Sequence, residues 1–213
     1  MQAGFDPVTQ NMRDAWVIHQ QFSQLFELQD IPVDSETLPD DLEFNPGGLA
    51  VRYAEENTRD SLFDAMRRKE TYATSGPRMT VRFFAGWDYP DNFFQRENML
   101  ELAYAEGVPM GGTLQSTINS SRSPVFAVWA AKDPPGANLD RIQVVKGWVD
   151  ERGQSHERIY NVAASGTRLA DADGELLPVG NTVDAVTATY HNSIGTAQLS
   201  ALWRDPGYQA GQQ

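Results

Sequence analysis

The spacing of apolar residues along the chain changes near residue 79. Before this point, apolar side chains recur at three- and four-residue steps in two segments, 8–26 and 62–66, which is the pattern of amphipathic helices. Asp6–Pro7 precedes the first segment and Asn57–Thr58 precedes the second, and both pairs suit a helix start. The sequence therefore predicts two helices ahead of residue 79.

In the rest of the chain, apolar and polar positions alternate, which is the period of a half-buried β-strand. The alternating segments are 79–83, 125–129, 142–148, 186–190 and 199–203. Asp150–Gly153 is a turn signal between the third of these segments and residues 159–162, and it predicts a β-hairpin. Two shorter elements are also predicted, a strand over 49–51 and a helix over 96–105 that ends at Gly107.

Together these elements predict a mainly β fold with N-terminal helices (α+β). An antiparallel β-sandwich-like domain is preceded by two helices. We divide the chain into a helix and acidic connector over 1–45, a strand–helix–turn segment over 46–78, and the sandwich over 79–213.

Composition narrows the classes of function. The chain has 213 residues, 40% of them hydrophobic, and a net charge of -12, so it can bury a core but presents a surface that repels nucleic-acid phosphates and anionic membranes. It contains no cysteine, which excludes disulfides, thiolate nucleophiles and cysteine-ligated zinc. No apolar run reaches the roughly 20 residues of a membrane-spanning helix, and the N-terminus lacks the basic and apolar regions of a signal peptide.

Three histidines offer little support for a metal centre. They are His19, His156 and His191, and no HxH or HExxH pair occurs, whereas a hydrolytic metal site needs several converging ligands. His19 lies on the apolar stripe of the first predicted helix, which favours a core position. His156 follows the hairpin turn and is expected to be exposed. His191 adjoins Asn192 and is the one histidine we keep as a candidate binding residue.

Two polar segments have both a functional and a structural interpretation. Asp171–Glu175 resembles the start of a calcium loop, but the twelfth position is Thr182 instead of glutamate, so a polar turn is favoured. The polar group over 55–57, with Arg67–Arg68 and Tyr72, could line a cleft. The favoured interpretation is structural: Asn57 or Thr58 caps the start of the predicted helix, and Arg67–Arg68 complement the dipole at its end. The candidate cleft or seam residues are Glu56, Arg68, Tyr72 and His191, and the catalytic residues are unknown.

Several blocks resemble one family, in the family's own order. The longest is AEENTRDSLFDAMRRKETYATSGPR over residues 54–78. The shorter blocks are GVPMGG (107–112), RIQVVKGW (141–148), TYHNSIG (189–195) and LWRDP (202–206). Over residues 45–206 the chain thus resembles a family of large bacterial proteins, the domain of unknown function 3604 family.

The resemblance implies a function that this chain does not perform alone. The family is similar to the PHP (polymerase and histidinol phosphatase) metal-dependent hydrolases, whose N-terminal barrel carries HxH and Ser-Asp-x-His blocks that do not occur here. The chain is then expected to be a C-terminal accessory domain, shortened at both ends, with residues 1–44 unplaced. A divalent metal is expected only in the intact protein, in the missing barrel. This barrel is the implied partner, and residues 46–78 are the expected seam to it. The implied parent is secreted or periplasmic.

Two alternatives and one further partner remain open. A sandwich that lacks its last strand leaves an unpaired edge, so self-association through an edge strand is expected. A stand-alone β-sandwich that binds ligands or carbohydrates is the main alternative, because the aromatics of Trp87–Tyr89 could be exposed. An independent enzyme that uses Glu55 and Glu56 is the least favoured, because adjacent residues usually point in different directions.

Overall fold

The computed structural model describes residues 47–115, 122–168 and 175–209. The chain divides into two compact units, and the boundary between them lies between Arg78 and Met79. The first predicted helix, the acidic connector and most of the calcium-like run lie outside the described residues. Within the described ranges, no helix is long and apolar enough to cross a membrane.

The described part of the first unit is a strand, a helix and a second strand. They are β1 (Leu49–Arg52), α1 (Arg59–Arg67) and β2 (Thr71–Thr74), and β1 pairs with β2 in antiparallel fashion. Thr58 is the N-cap of α1, since its side chain accepts a hydrogen bond from the Ser61 backbone N–H at 3.3 Å. The second predicted helix is therefore confirmed, with Thr58 as its cap.

A tight reversal after α1 produces β2, which the alternation of apolar and polar residues does not predict. Lys69 has a φ of 60°, in the left-handed region, so the chain turns back directly after the helix. The Glu70 N–H then donates to the Ala65 carbonyl at 3.1 Å, and the Tyr53 N–H donates to the Glu70 carbonyl at 3.0 Å. Tertiary hydrogen bonds, and not a side-chain period, thus set the start of β2.

The second unit is mainly β. Its helices are a 3₁₀-helix (Phe93–Gln95) and α2 (Met99–Glu106). Its strands are β3 (Thr80–Gly86), β4 (Gly107–Pro109), β5 (Val125–Ala131), β6 (Arg141–Val149), β7 (Ser155–Ala164), β8 (Val183–Asp184), β9 (Thr189–Tyr190) and β10 (Gln198–Arg204).

Four of these strands form one antiparallel sheet in the order β10-β5-β3-β4. The register places Phe84 opposite Ala127, and Ala127 opposite Leu202, so these three side chains share one face of the sheet. The strands predicted over 79–83, 125–129 and 199–203 are confirmed as β3, β5 and β10. The predicted helix over 96–105 is confirmed as α2, which begins three residues later.

The core of the second unit lies on this face of the sheet, beneath α2 and the 3₁₀-helix. The buried cluster comprises Phe84, Tyr89, Phe93, Ala103, Val125 and Ala127. Tyr89 is only 2% exposed, and its hydroxyl donates to the Ala103 carbonyl at 3.1 Å. Burial raises the pKa of Tyr89 to about 12. A Cβ atom at Gly107 would overlap the Tyr89 hydroxyl, so the close approach of the two requires glycine there.

The burial of Tyr89 corrects one expectation. Exposed aromatics over Trp87–Tyr89 were the motive for a stand-alone binding module, and for Tyr89 that expectation is wrong. Trp87 is half-buried, and its indole N–H donates to the Gln115 carbonyl at 3.1 Å. The Tyr89 ring is therefore not available to stack on a ligand.

The predicted hairpin is confirmed as β6 and β7. These two strands pair in antiparallel fashion as a separate sheet, with Val145 opposite Ile159. A register irregularity lies between Ile142 and Gln143, so the regular pairing of β7 runs from Ser155 to Asn161. With the four-stranded sheet, the hairpin confirms the predicted class, which is mainly β with antiparallel pairing.

The strand predicted over 186–190 is confirmed only at Thr189–Tyr190, which form β9, and is wrong for residues 186–188. Residues 185–188 form a turn between β8 and β9, and Ala188 has a φ of 52°. Asp184 holds this turn, because its carboxylate accepts the backbone N–H groups of Val186 and Thr187 at 2.9 Å and 3.3 Å. The alternation of Val186, Ala188 and Tyr190 is therefore not a strand period.

Candidate functional site

The predicted polar group of the first unit contains an ion pair between Arg68 and Glu70. The Arg68 Nη2 atom lies 3.7 Å from Glu70 Oε2, and the Glu70 side chain is buried while that of Arg68 is half-exposed. Glu70 directly follows three basic residues in the sequence, and this charge reversal is the signal that could have identified it. The pairing gives Arg68 a structural role at the end of α1.

Tyr72 and Arg52 belong to the two paired strands of the first unit. The Tyr72 ring, on β2, lies 5.8 Å from the Tyr53 ring. The Arg52 guanidinium donates to the Met66 sulfur at 3.5 Å. Burial lowers the pKa of Arg52, since an apolar environment disfavours its charged form. Arg52 was not predicted as a site residue, because its partners come from another element.

Glu55 and Glu56 are both exposed, ahead of α1. The Glu56 backbone N–H donates to Ser61 Oγ at 3.2 Å, a contact that suits the start of a helix. This geometry favours the structural interpretation of the pair over acid–base work.

His191 belongs to the second unit, whereas the other three candidate residues belong to the first. It is exposed, and its carbonyl accepts the Thr182 hydroxyl at 2.7 Å. The adjacent Asn192 ties two loops together, since its Oδ1 accepts the Asn138 N–H at 3.0 Å and its Nδ2 donates to the Gly136 carbonyl at 3.1 Å. His191 thus lies beside a loop-fastening asparagine pair.

The tip of the hairpin carries a second histidine in a more structured setting. His156 is exposed, as predicted, and its Nε2 lies 2.9 Å from Asp150 Oδ2. Its ring stacks on Trp148 with centroids 5.2 Å apart and planes 19° apart. The hydrogen bond with His156 is the largest cause that lowers the pKa of Asp150, followed by backbone hydrogen bonds from Gln154 and Arg152.

A largely buried ion pair joins this hairpin to the end of β10. The Lys146 ammonium lies 2.6 Å from Asp205 Oδ2 and also donates to the Gly207 carbonyl at 3.0 Å. The other carboxylate oxygen of Asp205 accepts the Gly207 N–H at 2.9 Å. Lys146 also lies 5.2 Å from the Trp148 ring centroid, in a cation–π contact. The sequence analysis missed this pair, because its partners are 59 residues apart.

A row of half-buried aromatic rings crosses the other face of the four-stranded sheet. This aromatic row consists of Phe83, Phe126, Trp203 and Tyr160. Successive ring centroids are 5.6, 5.4 and 4.8 Å apart. Tyr160 comes from β7, so the hairpin contacts this face of the sheet at Trp203. Ring contacts at such distances stabilise packing beyond the area they bury.

Comparison with known protein families shows to which family the chain belongs. The sequence model of the family described as "Protein of unknown function (DUF3604)" matches residues 14–213. The chain belongs to this family. None of the curated proteins and none of the solved structures matches it.

The domain of unknown function 3604 match starts further towards the N-terminus than the blocks of the sequence analysis. It begins at residue 14, so it includes most of the segment 1–44 that those blocks leave unplaced. The longest family block, 54–78, forms α1 and β2, and the block 141–148 forms most of β6. In the part of the chain that the structure describes, no group of three or more His, Cys, Asp or Glu side chains is arranged to hold a metal ion.

Proposed function

We propose that this chain is the mainly β accessory part of a metal-dependent hydrolase similar to the PHP enzymes, and that it is not catalytic alone. The observation that supports the proposal is the family match over residues 14–213. The likeness of this family to the PHP hydrolases is itself part of the proposal. The candidate polar residues support it, because Arg68 is engaged by Glu70 and Glu56 lies at a helix start. In the intact enzyme, the metal and the substrate chemistry belong to the barrel, and the hairpin begins the second layer of a sandwich.

The exposed apolar side of α1 supports a role for the first unit as the seam to that barrel. Phe63 is 55% exposed and Met66 is nearly as exposed, on a helix of nine residues. Arg67 lies 5.9 Å from the Phe63 ring centroid and borders this surface with charge. Apolar side chains rimmed by a charged residue are typical of a protein-binding surface.

The test is to co-express the chain with a candidate barrel. The reading frames adjacent to the gene are sequenced, and a frame that encodes HxH and Asp-x-His blocks is co-expressed with the chain. We expect the two to co-purify and to hydrolyse phosphate esters with Mn²⁺ or Zn²⁺, whereas the chain alone does not. Phe63→Ser should weaken the co-purification, and Val186→Ser, which changes an exposed valine of the second unit, should not. Metal-dependent turnover by the chain alone, or adjacent frames without such blocks, would refute the proposal.

A second candidate, a ligand- or carbohydrate-binding module, is favoured by the setting of Trp148. Its half-buried ring stacks with the exposed His156 ring and contacts the Lys146 ammonium, so the hairpin tip groups aromatic and polar side chains of the kind that can bind a sugar. A glycan array with the parent chain and with Trp148→Ala tests it. Phe63→Ala, which removes an exposed ring from the first unit, is the matched control. Binding that Trp148→Ala leaves unchanged, or an array without any bound glycan, would dismiss this candidate.

A further inference from the structure

We infer that β7 pairs in antiparallel fashion with β7 of a second copy of this chain, about a two-fold axis that passes through Ile159. The inference is independent of the proposed function, because it rests on the geometry of one hairpin. It states a partner, a register and a pair of residues that come into direct contact.

The edge of β7 is the first observation. This ten-residue strand pairs with β6 on one side, and no other described strand pairs with it. About half of the N–H and C=O groups of such a strand point away from its partner, where they can hydrogen-bond to another strand. Natural edge strands are often protected by proline or by charged side chains, above all lysine. SHERIYNVAA contains no proline and no lysine, and its two charged residues, Glu157 and Arg158, are adjacent and of opposite sign.

The outer face of the hairpin is the second observation. Val145 and Ile159 lie directly opposite each other on β6 and β7, and they are 59% and 55% exposed. The opposite face of the hairpin is engaged, since Tyr160 contacts Trp203 and Lys146 pairs with Asp205. The outer face and the β7 edge therefore form one continuous surface that can meet a partner.

The charges along β7 favour a second copy paired with the axis at Ile159 over the two neighbouring registers. A two-fold axis perpendicular to the sheet must lie between two copies of the same residue. Only then do side chains on the same face of the two strands lie opposite each other. An axis at a given residue means an axis between its two copies. An axis at Glu157 opposes two carboxylates, and an axis at Arg158 opposes two guanidinium groups, both of which destabilise pairing. An axis at Ile159 opposes two isoleucines and places Glu157 opposite Asn161 of the other copy.

The same register also extends a contact that already exists within one chain. Arg158 lies 5.1 Å from the Tyr160 ring centroid. With the axis at Ile159, Arg158 of each copy faces Tyr160 of the other, which is a favourable cation–π pairing. The pairing stays within Ser155–Asn161, the regular part of β7 before the bulge. On the outer face, Val145 and Ile159 of both copies then form one apolar strip of four side chains.

Cysteine cross-linking tests the register directly, because the chain has no cysteine of its own. With the axis at Ile159, Ile159→Cys places two sulfurs opposite each other, within reach of a disulfide. Glu157→Cys is the matched control, since its two sulfurs would then be about 13 Å apart along the strands. We expect mild oxidation to link Ile159→Cys into a dimer on a non-reducing gel and to leave Glu157→Cys monomeric. Equal linking of both variants, or linking of Glu157→Cys alone, would overturn the register.

Sedimentation analysis tests the dimer without a cross-link. We expect the parent chain to shift from monomer to dimer as its concentration rises, and Ile159→Lys to remain monomeric. Val186→Lys makes the same change of charge at a residue that is 95% exposed, and it should dimerise as the parent does. Circular dichroism of the variants checks that each is folded. A parent chain that stays monomeric at every concentration would overturn the inference and leave the proposed function untouched.

Discussion

At the scale of single residues, the ion pair of Lys146 and Asp205 is a contact whose loss should strongly destabilise the second unit. Both side chains are largely buried and the charged atoms are 2.6 Å apart. Asp205→Ala leaves a buried ammonium without its counter-charge, so we expect the free energy of unfolding to fall by about 3 kcal/mol. Urea titration followed by tryptophan fluorescence measures this loss.

Two controls separate the loss of the pair from other effects. Arg204→Ala changes the exposed neighbour on β10 and should alter the free energy of unfolding by less than about 0.5 kcal/mol. The double change of Lys146→Met with Asp205→Asn removes both charges, and it should recover most of the loss. If Asp205→Ala unfolds at the same urea concentration as Arg204→Ala, the pair contributes nothing to stability.

Asp150 makes the stability of the hairpin depend on pH. The hydrogen bond with His156 lowers the pKa of Asp150, and backbone N–H groups lower it further. A carboxylate of this kind stabilises the fold above its unfolded pKa, about 3.9, and the stabilisation disappears as the pH falls through the lowered folded pKa. We therefore expect Asp150→Asn to melt below the parent at pH 7, with a difference that shrinks below about pH 4. Glu151→Gln, the exposed neighbour, should melt with the parent at both pH values.

At the scale of elements, the N-cap of α1 gives a prediction that separates two readings of the sequence. Asn57 and Thr58 both suit a helix start, but it is the Thr58 side chain that accepts the Ser61 N–H. Thr58→Ala should lower the stability of α1 by about 1 kcal/mol, seen as faster amide exchange in the helix, and Thr58→Ser should restore it. A larger effect from Asn57→Ala than from Thr58→Ala would show that Asn57, and not Thr58, caps the helix.

Periodicity predicted the elements that have a more buried face and a more exposed face along their whole length. β3 and β6 are of this kind, since more buried and more exposed positions alternate along them, and both were found from the sequence. β2 was missed because Lys69 and Glu70 fix its start through the left-handed turn and tertiary hydrogen bonds. Residues 186–188 were wrongly predicted as strand, because the Asp184 carboxylate orders a turn whose alternating residues are exposed.

At the scale of the whole molecule, the sequence predicts family and fold class better than it predicts a site. The blocks that resemble the family are local strings, and the family match confirms them. The contacts that define the polar and aromatic groups are not local. Lys146 and Asp205 are 59 residues apart, and Tyr160 and Trp203 meet only because the hairpin lies against the sheet. Neither pair leaves a local pattern that a reading of the sequence could detect.

The division into two compact units leads to a prediction about cooperativity. Ala65 is completely buried in α1 of the first unit. Ala65→Asp places a charge in that apolar position, which should unfold the elements around it. Because separate units can open independently, we expect amide exchange to accelerate over 49–74 while β3, β5 and β10 keep their protection. Asp64→Ala, at an exposed position of the same helix, should leave both units protected. Equal loss of protection in the two units would mean that they unfold as one cooperative body. The boundary after Arg78 would then not separate two independent folding units.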